Sequence, residues 1–316
     1  NTVNGWTPDP DIHSNRLTIT NSTINEASST AVYGGMISRA SEVGDEETSA
    51  KIYKNTVDIS DTTFGDVNVF GAALGNLYSV ADSPDIVAEQ NTVTLTNVTA
   101  KNLKVFGAQI DDQHASQAKS NIVTVSGGQF ESMTLVGGLV MLGDQAESKV
   151  SGNTIEVTGA VKADTGSIYG GYLDDGGSAD QGLAQDNIVK LSHEGTLNLV
   201  DLYGGFSNNS SASYEKIWKG NELNLNSGRV VTENMNGFQT YNFYIQQSDV
   251  NSDGLIKVTG DKSVLIAKGQ DGSNNTGTVI GIGIKGNLTL ANNDKVTLID
   301  SASGFVDETG ANWAAG

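Results

Sequence analysis

Two pairs of adjacent aspartates, Asp111–Asp112 and Asp174–Asp175, lie at equivalent places in the chain. Each pair comes four and five residues after the first glycine of a strand-ending Gly-Ala or Gly-Gly step. Carboxylates clustered in a groove could act as the acid and base of glycoside cleavage or hold a hard cation. Aspartates that leave a corner are commonly turn residues. We favour the turn interpretation, and the other two stay open.

Calcium is the cation that these acidic stretches would suit. The stretch from Asp174 and Asp175 to Asp180 supplies carboxylate and hydroxyl oxygens, and residues 251–254 and 271–275 supply similar groups. None of these segments has the ligand spacing of an EF-hand or of a calcium-binding nonapeptide repeat. The sequence therefore predicts no cofactor, with calcium as the alternative.

The remaining residue types give no catalytic set. The histidines, His13, His114 and His193, lack metal-ligand spacing, and we expect them to be solvated or loop residues. The chain has no cysteine, only three widely spaced arginines, and no serine-hydrolase, phosphate-binding or dinucleotide-binding motif. We therefore predict that the protein is not an enzyme.

An internal repeat supplies the elements that position these residues. An asparagine followed by alternating apolar residues occurs seven times, at spacings of 30 to 40 residues, from Asn15 to Asn221. Alternation with a period of two indicates a strand with one buried face, and stacked copies of such a strand indicate a solenoid. Asparagine also tolerates the left-handed backbone of a turn. We expect five of the asparagines to stack at one corner through amide hydrogen bonds: Asn55, Asn91, Asn121, Asn153 and Asn187.

A second strand-like element follows each of the first six asparagines and ends in Gly-Gly or Gly-Ala, which predicts a tight corner. In the seventh unit we expect it near Phe243 and Tyr244. The position before the first glycine is aromatic in five copies. Strict alternation would point this column outward, where it could bind sugar rings or another copy of the protein. We favour the alternative, in which the rings stack at the corner. The five residues are Tyr33, Phe70, Phe106, Tyr169 and Tyr203.

These patterns predict an all-β fold, a right-handed parallel β-helix with one coil per repeat of 30–40 residues. Residues 1–250 form the repeat region, and residues 251–316 form final coils or a C-terminal β cap. The net charge of −19 disfavours nucleic acid and anionic membranes as partners. No apolar run reaches 18 residues, so we expect no direct membrane insertion.

The repeat resembles the passenger domains of bacterial type V autotransporters. The resemblance rests on the Asn-x-Val-x-Leu strand paired with Val-Tyr-Gly-Gly, and on the absence of Cys together with only 3 Pro. It rests also on the ending GNLTLANNDKVTLIDS, residues 286–301. It covers residues 15–245 and 255–301. It implies a protein of the bacterial cell surface or one released from it, with an outer-membrane translocator barrel expected to follow.

The resemblance also implies a function, because such passengers are mostly adhesins or self-aggregation factors. We expect adhesion or self-association through the solenoid flank and its loops, as in biofilm formation and virulence. The expected partner is a host-cell surface protein or glycan, or another copy of the chain. Two alternatives stay open. One is a carbohydrate-active β-helix enzyme, lyase-like or hydrolase-like, with its acids at Asp111 and Asp174. The other is a structural stalk.

Overall fold

Parallel pairing between successive repeats organises the whole fold. In the computed structural model, each strand of the repeat hydrogen-bonds in parallel to the equivalent strand of the next one. Equivalent asparagines are separated by 30 to 40 residues along the chain. This confirms the predicted all-β solenoid with one coil per repeat. The structure describes residues 2–3, 11–24, 29–38, 50–77, 86–112, 116–142, 148–174, 182–209, 214–268 and 277–307.

The described strands form three sheets, of fourteen, six and two strands. The first sheet contains β1 (Thr2–Val3), β3 (Arg16–Thr20), β4 (Thr30–Ser38), β6 (Thr56–Ser60), β7 (Thr63–Leu77), β9 (Thr92–Asp112), β11 (Ile122–Leu142), β13 (Thr154–Asp174), β15 (Ile188–Ser207), β16 (Glu222–Asn236), β17 (Thr240–Ile245), β18 (Ile256–Val258), β20 (Val279–Ile284) and β21 (Ile299–Ser301). The second contains β2 (Asp11–His13), β5 (Ala50–Tyr53), β8 (Ile86–Glu89), β10 (Ser116–Lys119), β12 (Lys149–Ser151) and β14 (Leu183–Gln185). The third pairs β19 (Val264–Leu265) with β22 (Phe305–Val306), and the two helices are α1 (Tyr214–Trp218) and a 3-10 turn (Gln247–Asp249).

One coil has three sides and encloses two separate apolar lobes. The first side follows the repeat asparagine, the second side runs to the glycine corner and beyond it, and the third side belongs to the second sheet. Inward residues of the first side, such as Leu95, pack against Val105 of the second side in the larger lobe. Beyond the corner, Ile110 packs with Ala118 of the third side in the smaller lobe. Each aliphatic side chain buried in this way stabilises the fold by about 1.5–3 kcal/mol.

The asparagine side chains form a continuous buried ladder between the two lobes. Asn91 is fully buried. Its Nδ2 donates to Oδ1 of Asn121 at 3.0 Å and to the carbonyl of Ile52 at 3.1 Å. Its Oδ1 accepts from the backbone N and the Nδ2 of Asn55, at 3.1 and 3.0 Å. The same bonds join the neighbouring coils from Asn15 to Asn221, so these buried amides are hydrogen-bonded on both sides.

The left-handed backbone at this corner belongs to the residue before the asparagine and not to the asparagine itself, which corrects one sequence-based expectation. Most of these preceding residues carry non-glycine side chains at positive φ, between 56° and 57°. They are Ser14, Lys54, Gln90, Ser120 and Asp186. The asparagine that follows does not have a positive φ, and its amide points along the solenoid axis and bonds to the next coil.

The glycine corner lies directly opposite the asparagine ladder. A Cβ built on Gly107 would lie 2.3 Å from the carbonyl oxygen of Gly137 and 2.9 Å from Cβ of Asn121. A Cβ on Gly71 would lie 2.5 Å from the carbonyl oxygen of Gly107. The two lobes therefore meet at a narrow waist, where one chain segment presses on the other and leaves no room for a methyl group.

The C-terminal part changes the cross-section of the solenoid. Helix α1 takes the place of a third-side strand, and it contacts the edge strand β14, where Gln185 Nε2 donates to the carbonyl of Glu215 at 2.9 Å. The chain then passes from β16 directly to β17 without a third side. Strands β17, β18, β20 and β21 continue the first sheet in parallel. Residues after 250 thus extend the stack, and three isoleucines of its last first-side strand are exposed: Ile280, Ile282 and Ile284.

The shortened coil corrects the expected place of the seventh second-side element. Met235 and Asn236 pair with Leu202 and Tyr203, so the element is Met235-Asn236-Gly237. Phe243 instead pairs with Leu225 on the first side of the following coil. The expectation was wrong because this copy lacks the residues that marked the others: Asn236 takes the aromatic position, and Gly237 is followed by Phe238 instead of Gly or Ala.

The ladder predicts a large cost for removing one amide. Replacing Asn121 by Ala removes four buried hydrogen bonds: those that its Oδ1 accepts from the backbone N and Nδ2 of Asn91, and those that its Nδ2 donates to Oδ1 of Asn153 and to the carbonyl of Ala88. We expect a loss of about 2–4 kcal/mol of stability, measured from the urea midpoint. The control, Thr124→Ala, removes an outward side chain from the same strand and should change stability by less than about 0.5 kcal/mol. Equal midpoints for the two variants would refute a stabilising ladder.

The waist predicts opposite results for two glycines. In Gly107→Ala the new methyl group meets a backbone carbonyl, and we expect a loss of at least about 2 kcal/mol. A Cβ on Gly75, outside the waist, would have no atom within 4 Å. Gly75→Ala should therefore be neutral or stabilise by up to about 1 kcal/mol, because it restricts the unfolded chain. Thermal unfolding of both variants tests this, and similar melting temperatures would contradict the close approach.

Candidate functional site

The aromatic column points outward and packs into the concave side of the glycine corner. Tyr33 stacks on Phe70 with ring centroids 4.9 Å apart, and Phe70 stacks on Phe106 at 5.1 Å, each pair within 8° of parallel. Tyr33 is 36% exposed, but Phe70 is only 9% exposed. The rings therefore form a stack that runs along the solenoid axis.

A second aromatic cluster lies farther along the same corner. Tyr169 stacks on Tyr203 with centroids 5.8 Å apart and planes within 5°. Tyr172 and Phe206 join them from the other side of the corner, with Phe206 4.8 Å from Tyr203. Sequence reasoning missed this second pair. The sequence contained a signal for it, because Tyr172 follows Tyr169 by three residues and Phe206 follows Tyr203 by three. Residues with this spacing lie on either side of the two-glycine bend and face each other. Val136, in the intervening coil, separates the two groups of rings.

A carboxylate holds the tyrosines of the second cluster. Asp201 accepts from the Tyr169 hydroxyl at 2.5 Å and from Nδ2 of Asn234 at 2.9 Å. Burial and then Asp201 raise the pKa of Tyr203 to about 12. Burial, followed by the charges of Asp174 and Asp201, raises the pKa of Tyr172. The phenols therefore stay neutral near pH 7, and the Tyr169 hydroxyl serves as a hydrogen-bond donor to Asp201.

The direction of stacking decides what the aromatic corner can bind. Sugar rings bind to the faces of aromatic side chains. Here the faces of Phe70 are covered by Tyr33 and Phe106, and Tyr203 is only 6% exposed. The column therefore presents mainly ring edges to solvent, and its packing contributes chiefly to cohesion between coils.

The structure brings Asp111 and Asp174 into one outward column. Both pair with Met141 of the coil between them, so they lie two strand spacings apart, roughly 9–10 Å. Asp174 is the last residue of β13 and accepts a hydrogen bond from Nδ2 of Asn208 in the next coil, so this contact joins neighbouring coils. Asp175 and Asp180, with the side chain of Asp112, lie outside the described residues. Among the residues that are described, no group of three or more His, Asp or Glu could hold a metal ion.

One histidine contradicts the expectation that all three are solvated or in loops. His13 is exposed and stacks on Tyr53 with centroids 4.9 Å apart, and His114 lies outside the described residues. His193 is only 1% exposed, and its Nε2 has no hydrogen-bond partner among the described residues. Its burial could not be foreseen because it lies at a coil-specific bend where the register of β15 against β16 shifts.

The outward face of the first side is a flat, hydroxyl-rich surface, which we call the hydroxyl face. It has three columns along seven coils, and twelve of its twenty residues are Thr or Ser. The central column is Thr18, Asp58, Thr94, Thr124, Glu156, Lys190 and Asn224. The column on one side is Arg16, Thr56, Thr92, Ile122, Thr154, Ile188 and Glu222. The column on the other side is Thr20, Ser60, Thr96, Ser126, Thr158 and Ser192.

Most side chains of the hydroxyl face have no hydrogen-bond or ion-pair partner among the described residues. The exceptions are few: Arg16 pairs with Asp58 at 2.6 Å, Ser192 accepts from Asn226 at 2.9 Å, and both Glu222 and Asn224 accept from Nδ2 of Asn242, at 2.7 and 2.9 Å. The other eleven Thr and Ser side chains make no hydrogen bond to any described residue. The face therefore offers an ordered array of hydroxyls to solvent, and this array is the main candidate for a binding surface.

No family model, curated protein or solved structure matches the chain. The resemblance to autotransporter passengers therefore stays a prediction from sequence. Within the described part of the chain, no helix is both long enough and apolar enough to cross a bilayer.

Burial of His193 predicts a pH dependence of stability. Burial lowers its pKa in the folded protein, whereas in the unfolded chain the pKa is about 6.5. The neutral imidazole thus favours the fold above pH ~6.5, and this contribution is lost as the pH falls through the lowered folded value. We expect His193→Gln to flatten the dependence of stability on pH below about pH 6.5, and the exposed control His13→Gln to keep the wild-type profile. Urea unfolding at several pH values measures both, and identical profiles would count against the buried neutral form.

Proposed function

We propose that the protein is a non-enzymatic bacterial passenger domain, displayed on the cell surface or released from it, that mediates adhesion. Its principal binding mode is association between copies of the chain through the hydroxyl face. The observation that carries this proposal is the array of eleven uncommitted hydroxyls on a regular sheet. The repeat and the C-terminal motif of the sequence support the assignment to this class and location.

Charge favours the hydroxyl face as the place where two copies meet. The whole chain carries a net charge of −19, so most pairs of surfaces repel each other. The hydroxyl face carries two cations, Arg16 and Lys190, and three acids, Asp58, Glu156 and Glu222. Its near-neutral balance means that a second copy can approach it without the repulsion that disfavours other contacts.

The chemistry of the face is self-complementary. A hydroxyl group donates one hydrogen bond and also accepts hydrogen bonds, so two such faces satisfy each other in either relative direction. Strands recur about every 4.8 Å on both partners, so a contact made by one coil is repeated by the next. Each contact contributes little alone, but many copies on one cell convert weak contacts into stable attachment.

The same passenger class also includes proteins that bind host cells. A host-cell surface protein or glycan is therefore the second class of partner that we propose. The loops between the second and third sides are the natural place for it, because insertions in solenoids collect there. A purely structural stalk would use neither surface.

Placing like charges on the face should abolish the contact. We expect Thr94→Glu/Thr124→Glu to raise the dissociation constant of self-association at least ~10-fold, because acidic side chains of two copies would then meet. The control, Thr134→Glu/Thr165→Glu, adds the same charge to outward positions of the second side and should have little effect. Sedimentation equilibrium of the purified chain and clumping of displaying cells provide the measurements. A wild-type chain that stays monomeric at high concentration, or equal loss in both variants, would reject the proposal.

A further inference from the structure

A second concave surface lies away from both the hydroxyl face and the aromatic corner. It is a groove of about 530 Å³ at the start of the second side, and it crosses four successive coils. This volume falls within the range of small-molecule sites, about 300–1,000 Å³. Four coils correspond to a length of roughly 14 Å between the outermost strands. We call it the second-side groove.

Polar side chains line the second-side groove without pairing to one another. They comprise two cations, two acids, an amide and two hydroxyls. Lys101, Glu131 and Asp164 follow one another in a single column, as placed by the pairing of their neighbours. None of these seven side chains forms a hydrogen bond or ion pair with any residue that the structure describes. The seven are Thr63, Thr99, Lys101, Gln129, Glu131, Lys162 and Asp164.

An extended peptide does not fit this groove. Peptides are usually held by main-chain bonds at a free sheet edge or by side chains inserted into apolar pockets. The groove lies in the middle of the first sheet, where β9 and β11 are paired on both sides. Its aromatic floor is closed, since Phe64 is 3% exposed and Phe130 is 4% exposed.

A strongly charged ligand does not fit either. Lys101 and Lys162 balance Glu131 and Asp164 inside the groove, while the chain as a whole carries −19. A polyanion would be repelled by the rest of the surface, and a polycation would find two lysines among the groups it meets. The ligand should therefore carry little net charge.

The hydrogen-bonding pattern selects the chemical class that remains. Lysine only donates, ionised carboxylates only accept, and amides and hydroxyls do both. A ligand that hydrogen-bonds to all of these side chains within a short length must carry closely spaced groups that both donate and accept hydrogen bonds. Sugar hydroxyls have this property. We propose that the second-side groove binds an uncharged oligosaccharide lying along the solenoid axis. This site is separate from the hydroxyl face and does not depend on self-association.

The proposal is tested with neutral oligosaccharides of four to six units. The probes are gluco-, manno-, galacto- and N-acetylglucosamine oligomers, screened as an immobilised array and then titrated in solution with the purified chain. We expect at least one to bind, and Glu131→Ala/Lys162→Ala to weaken that binding at least ~10-fold. The control, Lys149→Ala/Glu233→Ala, removes one cation and one acid from exposed positions outside the groove and should bind like the wild type.

Three outcomes would overturn this assignment. They are no binding of any neutral probe, binding only of sulfated or sialylated glycans, and equal binding by the groove variant and the wild type. The self-association variant Thr94→Glu/Thr124→Glu should bind the oligosaccharide normally. If this variant loses clumping but still binds sugar, the result supports the groove as the sugar site and the hydroxyl face as a separate site.

Discussion

The close approach of the glycine corner to the asparagine ladder is the constraint on which the rest of the structure depends. At this waist the backbone of one side lies against the buried amides of the other, and a Cβ on Gly137 would lie 2.3 Å from the carbonyl oxygen of Gly170. Buried amides are stable only when they are hydrogen-bonded. The ladder meets this requirement because each asparagine donates from Nδ2 to Oδ1 of the asparagine in the next coil. The waist then divides the core into two lobes, and the concave bend outside it gathers the aromatic residues.

The waist also makes the aromatic corner different from the outward surface of the first side. Outward residues near the bend are drawn together, and rings such as Phe70 are covered on both faces by their neighbours. Residues on the first side have no such neighbours across a bend, and the hydroxyls of Thr94 and Thr124 make no hydrogen bond to any described residue. In a solenoid, one column of side chains can thus hold neighbouring coils together. Another column, with the same spacing from coil to coil, can be available to bind other molecules.

Much of the fold could be predicted from the sequence because it repeats. The period-two alternation around Val93 and Leu95 and the recurrent asparagine indicate strand, inward face and stacking without any knowledge of a partner. Contacts particular to one coil could not be predicted. The burial of His193 depends on a shift of register, and the omission of a third side after Asn236 depends on helix α1 covering the edge. The second-side groove was missed because its lysines and acids are far apart in the chain and only stacking brings them side by side.

The amide ladder has a further consequence for the length of the molecule. Its Nδ2 to Oδ1 distances stay between 2.8 and 3.1 Å at every step from Asn15 to Asn221. Each hydrogen bond between neighbouring asparagines is therefore equivalent to the next. A whole coil could be added or removed without altering the remaining asparagine bonds. The length of such a molecule therefore changes in steps of one strand spacing, about 4.8 Å. Its cross-section and its exposed surfaces stay the same.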